Sequence, residues 1–317
     1  MSQSMQNTIV KQLPILLKRE FWEHKVAIFY VPLIITLFSI GIVVLSAISA
    51  PLISFSVDVE NNGPGHQVTI GKSDTSMSEI VGPQLVSFSK RSMAQKERVF
   101  EELYSGFSLL LIVPLWFVIF FYLQGSLYED RKDRSILFWK SMPVSDGLTV
   151  ASKLITALFV IPAIYLVFVV ISQLAFLIIA SIVATFNSVE VWSTLWAPAH
   201  LMMRWLGMMA FFLFTAFWCL PFFTWILLVS SWAKSVPFAW VMGIPILLVV
   251  IEYYLFRSSG YIREFIANHS ISFREVSGGF SNFYAAGVFS MEMLLAVGIG
   301  AIFISVTIWK RGYANEI

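Results

Sequence analysis

The sequence predicts an all-α polytopic membrane protein with six transmembrane helices, an amphipathic helix ahead of the first span, and a short helix in a charged loop between spans two and three. Three observations carry this. Of the 317 residues 58% are hydrophobic, and mean hydropathy is +0.79, well above a soluble domain. The apolar residues form continuous runs that reach the roughly 20 needed to cross a bilayer, not the alternating segments of about ten that build a barrel. Only 13% of residues are charged, and they gather between the runs.

The spans are expected at about 26–50, 105–127, 154–185, 201–230, 237–256 and 287–309. Spans three and four exceed the hydrocarbon thickness and have room to tilt. Pro162 and Pro221 lie inside them and should kink them, which in a membrane helix most simply shapes packing. Domain organisation is therefore a tail and interfacial helix over 1–25, then a six-span domain over 26–317, with an external loop at 51–104 and a second loop at 128–153.

Lysine and arginine set the orientation. Lys11, Lys18, Arg19 and Lys25, then Arg131, Lys132, Arg134, Lys140 and Lys153, then Lys234, Lys310 and Arg311 fall on one side. The other side has Lys72, Lys90, Arg91, Lys96, Arg98, Arg257, Arg263 and Arg274, with Arg204 at a span edge. The bias places both termini and the 128–153 loop in the cytoplasm. The amino-terminal stretch is not expected to be a signal peptide, because its apolar part is short, broken by Pro14 and followed by charge. Over 9–25, Ile9, Leu13, Leu16, Leu17, Phe21 and Trp22 can share a face while Lys11, Lys18, Arg19 and Glu23 point elsewhere, as in a helix lying on the inner leaflet.

The external loop opens with ISFSVDVE-NNGPG-HQVTIGK, a hairpin pattern, and closes with AQKERVFEELYSG, a helical pattern that runs into span two. GHQVTIGKS looks like a phosphate-binding loop, but the position five before Gly71 is His66, and no strand-then-helix context surrounds it. His200 precedes Met202, Met203, Met208 and Met209, a soft-metal set by type, yet the spacing scatters them round a helix. Cys219 is the single cysteine, so no intrachain disulfide or cysteine-pair motif exists. His24, His66, His200 and His269 are dispersed, and no hydrolytic triad is legible. Arg204, Glu252 and Glu292 sit at span ends, where they can snorkel, and no span centre carries a charge, against an ion-coupled carrier with a midplane carboxylate. Net charge of +2 gives no reason to expect nucleic acid.

The remaining feature is LYEDRKDRSILFWKSMPVSD, Leu127 to Asp146. From Glu129 to Lys140 there is no glycine or proline; acids come first and bases follow, as suits a helix dipole. Ile136, Leu137, Phe138 and Trp139 form an apolar cluster too short to span, Pro143 stops the helix, and VSDG caps the next one. Arg, Trp and Phe together are the residue types of a protein–protein hot spot; a solvated anchor with a headgroup-level Trp is the plainer alternative.

Tyr128-Glu129-Asp130, Ser135-Ile136-Leu137 and Met142-Pro143-Val144-Ser145 resemble the first cytoplasmic loop of type-two ABC exporter permeases. The amino-terminal LLKREFWEHK, the six spans and the short LLVSSWAKS connection match that family's topology, while Arg134-Ser135 departs from the Gly-Thr of many members. The resemblance implies a permease subunit of a bacterial inner-membrane ABC exporter, a dimer with a second copy or a paralogue, surrounded by membrane lipids and not itself an enzyme. ATP and Mg would be bound by a separate nucleotide-binding ATPase subunit, and this chain would hold no cofactor or metal. The loop helix would be a cytoplasmic coupling helix. Carried over by position, Glu129, Asp130, Arg131 and Arg134 would dock that subunit, supported by Ile136, Leu137 and Trp139. Trp116, Phe117, Phe120 and Phe121 on span two would line a translocation path or face lipid. The other readings are a secondary carrier or channel needing no ATPase, and a non-transporting scaffold, sensor or immunity component on the same fold. The substrate is not legible.

Overall fold

The computed structural model describes residues 3–49, 85–141, 144–256, 260–269 and 291–313. The hairpin expected within 51–72, and Pro143, lie outside them. Among the described residues the chain is helical: α1 (Gln3–Glu23), α2 (Val31–Ser49), α3 (Met93–Lys132), α4 (Ser135–Ser141), α5 (Asp146–Ile155), α6 (Ile161–Phe186), α7 (Leu201–Trp218), α8 (Leu220–Trp232), α9 (Pro237–Phe256), α10 (Tyr261–His269) and α11 (Met291–Gly312). Among the described residues six stretches are long and apolar enough to cross a membrane: Val26–Ala47, Met93–Lys132, Asp146–Phe186, Trp192–Trp218, Pro237–Leu255 and Met291–Gly312. The protein is thus an all-α polytopic membrane protein.

Two boundaries differ from the sequence expectation. α3 has 40 residues, about 60 Å at 1.5 Å per residue, so it absorbs both the helical end of the external loop and the start of the charged loop. Span four is not one helix to residue 230: the chain turns at Cys219 (φ −87°, ψ 11°), and Pro221 stands in the first turn of α8, where its missing N–H costs nothing. Pro221 therefore starts a helix rather than kinking one.

Three π-turns, Val26–Tyr30, Thr156–Val160 and Trp192–Trp196, each stand two residues before a proline: Pro32, Pro162 and Pro198. A proline ring collides with the carbonyl four residues back, and the wider turn gives it room. In each case the residue before the proline donates its N–H five back, Val31 to Val26, Ile161 to Thr156 and Ala197 to Trp192. The next carbonyl in each turn, on Ala27, Ala157 and Ser193, would be served by the proline, which has no N–H. The Tyr165 hydroxyl donates to the Ala27 carbonyl at 3.1 Å, and the buried Lys96 ammonium donates to the Ser193 carbonyl at 3.5 Å.

The chain divides into two compact units. Unit one comprises 1–33, 109–167 and 205–317. Within it α11 packs along α8. Ala296, Gly300 and Thr307 lie buried on one face, and a Cβ on Gly300 would come within 2.7 Å of the Leu220 side chain, so only glycine admits this approach. Phe303 meets Trp225 across the same seam with ring centroids 5.7 Å apart. Glu252 caps α10, accepting from the N–H groups of Ile262 (2.9 Å) and Arg263 (3.3 Å), so this near-terminal carboxylate is buried against a helix start.

Unit two comprises 34–108 and 168–204. Its core joins Phe100, Tyr104, Leu177, Ala184, Val189, Leu195 and Ala199. Phe88 and Phe100 meet edge-on at 6.1 Å, and Tyr104 and Phe176 at 6.3 Å. Arg204 lies over the Tyr104 ring and donates to the Ala199 carbonyl at 2.9 Å. His200 turns the chain with a positive φ of 44° and meets Glu97 at 2.9 Å. That pairing gives the histidine a carboxylate partner, while Met202, Met203 and Met209 face outward.

Candidate functional site

The charged loop is built from three pieces, not one helix. Glu129, Asp130 and Arg131 are the last turns of α3. Asp133 and Arg134 form a turn, and α4 begins at Ser135. Arg134 has φ of 60°, the left-handed region that costs a non-glycine residue about 1–2 kcal/mol. It holds the place at which many members of the resembled family have glycine. The turn is kept by the Asp133 N–H on the Glu129 carbonyl (2.9 Å) and by the Ser135 hydroxyl on the Asp130 carbonyl (3.1 Å). α5 starts at Ser145, whose hydroxyl accepts from the Leu148 N–H at 3.2 Å, the cap that VSDG announces.

The turn and α4 are fixed to two other helix ends. α8 stops at Trp232 and leaves carbonyls without intrahelical donors. The buried Arg131 guanidinium fills them, donating to Ser230 at 3.0 Å and Ala233 at 2.6 Å. Ser230 in turn accepts, through its hydroxyl, from the N–H groups of Leu127 and Tyr128. Lys140 donates to the Gly312 carbonyl at the end of α11 (3.2 Å), and Arg311 pairs with Asp146 at 3.2 Å. Ile136 is buried beside Leu127, Arg131, Ser231 and Arg311.

Behind this lies an ionic web. Glu20 of α1 is fully buried; it accepts from the Tyr122 hydroxyl at 2.8 Å and pairs with Lys153 at 3.3 Å and Arg19 at 3.6 Å. Asp130 pairs with Lys153 at 3.5 Å and Arg19 at 3.8 Å, and Arg19 also binds Glu23 at 2.8 Å. Burial alone would push the Glu20 carboxyl up, but Lys153, the Tyr122 hydroxyl and Arg19 outweigh it and hold the pKa below the ordinary carboxylate value. Burial works against the Arg19 charge, yet Glu23, Glu20 and Asp130 outweigh it and raise its pKa.

The expected docking residues therefore divide. Asp130 and Arg131 point into the fold and are spent on the web and the α8 cap. Ile136 anchors α4 from beneath. Glu129, Arg134 and Leu137 are exposed. Of Trp139 only the helical backbone is described. On α3, Trp116 is buried and stacked on Phe223 at 6.0 Å, and Phe120 meets Phe121 and Phe238 edge-on. Phe117 and Phe121 are exposed. The four aromatics thus do not share one surface.

Glu20 and Tyr122 were not singled out by sequence, and Lys153 was named only as one of the charges that set the orientation. The apolar neighbours of Glu20 in α1 include Leu16 one turn earlier, which is buried on the same face. That spacing was the only local signal, and the partner Lys153 is far along the chain.

Compared with known proteins, the chain matches no family model, no curated sequence and no solved structure. The exporter resemblance rests on the loop residues and the span order.

Proposed function

We propose that this chain is the permease subunit of an ATP-driven exporter in a bacterial inner membrane, with both termini in the cytoplasm. Its ATP and Mg chemistry is done by a separate ATPase subunit, and it works as a dimer with itself or a paralogue. The observation that carries this reading is α4. A seven-residue amphipathic helix is too short to hold its own shape in water. Here it is held by Ile136, buried beside Leu127, Arg131, Ser231 and Arg311 from the ends of α3, α8 and α11, and by Lys140 on the last turn of α11, while Arg131 ties α3 to α8 and Lys132, Asp133, Arg134 and Leu137 stay exposed. An element fixed to three helix ends but open on one side transmits a push on that side to all three, which is what a coupling helix does.

The test is reconstitution with the ATPase subunit that co-purifies with it. Arg134→Glu with Leu137→Asp leaves the chain folded in the membrane and removes ATPase co-purification and stimulated ATP turnover. A complex that assembles and turns over normally with both substitutions sinks the docking assignment.

A further inference from the structure

Beside α3 lies a groove of about 330 Å³, bounded on its other side by the end of α1 and the first π-turn. Phe117, Phe121, Gly125 and Glu129 follow one another at intervals of four residues, so they form one stripe along α3. Tyr122 and His24 complete the head of the groove, with their rings edge-to-face at 4.9 Å. The stripe spans 12 residues, about 18 Å at 1.5 Å per residue, with two exposed phenyl rings at one end and a carboxylate at the other.

Gly125 is what shapes the head. A Cβ there would lie 2.9 Å from Glu129 Oε1, so the carboxylate leans back over the bare helix surface toward the aromatic walls. No cation pairs with Glu129 among the described residues. Of the nearby positive groups, Arg19 is committed to Glu20, Glu23 and Asp130, Lys153 to Glu20 and Asp130, and Lys25 to the Trp22 ring, while Lys132, three residues on along α3, is exposed and lies outside the groove lining. Glu129 is thus the one carboxylate on the groove lining, which holds no lysine or arginine.

We infer that this groove binds a lipophilic cation: one ammonium head between Glu129, Tyr122 and His24, and an alkyl or aromatic body along Phe121 and Phe117. A carboxylate supplies a charge-assisted contact, and ring faces attract an ammonium, best of all when it is alkylated. Eighteen ångströms of stripe suits a long apolar body. An anionic amphiphile of equal length meets the same rings but a repelling head. The inference supplies a ligand class for the permease reading and does not depend on it, because binding is measured on this chain alone.

The test uses the full chain in nanodiscs of phosphatidylcholine and phosphatidylglycerol, without ATPase. Two photoreactive probes of equal chain length are compared, a dodecyltrimethylammonium and a dodecyl sulfonate, each with a diazirine on the chain, and adducts are mapped by peptide mass. The ammonium probe labels 117–129 saturably and the sulfonate does not. Glu129→Gln, at an exposed position, weakens the ammonium labelling about tenfold, as loss of one charge-assisted contact predicts. Gly125→Ala, which favours the helix, moves the carboxylate and weakens it several-fold. Equal labelling by both probes, or full labelling in Glu129→Gln, overturns the inference in favour of plain lipid contact. Absent labelling together with chain-to-chain adducts from a photoreactive residue at position 121 overturns it in favour of a second copy seated on the groove.

Discussion

In unit one, buried ionisable groups answer one another across long sequence distances: Glu20 with Lys153, Asp130 with Arg19 and Lys153, Arg131 with the open end of α8. In unit two, the core is ring against ring, and its hydroxyls mostly turn back onto their own helices, as Ser181 does on Leu177 at 2.7 Å and Thr185 on Ser181 at 2.8 Å. The first arrangement specifies partners and fails when one is removed. The second spreads its cohesion over many small contacts and tolerates loss more gradually.

Removing one member of the web gives the largest effect. Glu20→Gln is expected to cost about 3–5 kcal/mol, since it leaves buried Lys153 with a weaker set of partners. Cys219, buried in unit one, is a natural reporter: a thiol-reactive dye should label it at a markedly lower temperature in the variant. Phe100→Ala, at the centre of the unit-two cluster, should cost about 3 kcal/mol. It should raise amide exchange over 96–107 while Cys219 stays protected; if Cys219 opens with it, the two units unfold as one. Gly300→Leu should cost about 2 kcal/mol by driving α11 off Leu220, again read at Cys219.

Acid should separate the units as well. Because the folded-state pKa of Glu20 is depressed, its contribution is fully present above its ordinary value of 4.5 and is lost as pH falls through the folded value. Cys219 protection should therefore be flat from neutral pH to about 5 and weaken below 4.5, and Glu20→Gln should flatten that slope. The smallest effect runs the other way. Arg134→Gly should stabilise the chain by about 0.5–1 kcal/mol by relieving the left-handed backbone, offset in part by glycine's own entropy.

The local rules were legible in the sequence. The six apolar runs and the Ser145 cap follow from hydropathy and capping, whose effects act within a turn or two. The division of the loop was not. Acids before bases over Glu129–Lys140 read as one dipole-matched helix, whereas Arg131 is drawn inward by carbonyls that exist only because α8 ends at Trp232, a hundred residues on. In the sequence Lys153 stands as one of the loop's positive charges, but nothing adjacent to it announces that its partner is Glu20. That Pro162 would disturb the hydrogen bonding of its helix was foreseeable; that a proline two residues after a π-turn leaves a carbonyl for another segment was not, since the donor's identity is a tertiary fact.

Those prolines give the helices a form of adhesion that works by omission. At Pro32 the chain withholds a donor, and the Ala27 carbonyl becomes a socket that a residue 138 positions away plugs with its hydroxyl. Restoring the donor with Pro32→Ala would improve the helical run from Val26 to Ser49 taken alone and, by letting the chain satisfy itself, take away the reason for Tyr165 to stay. Such a helix is held to its neighbour by its own incompleteness, and a substitution scored as favourable for the part would loosen the whole.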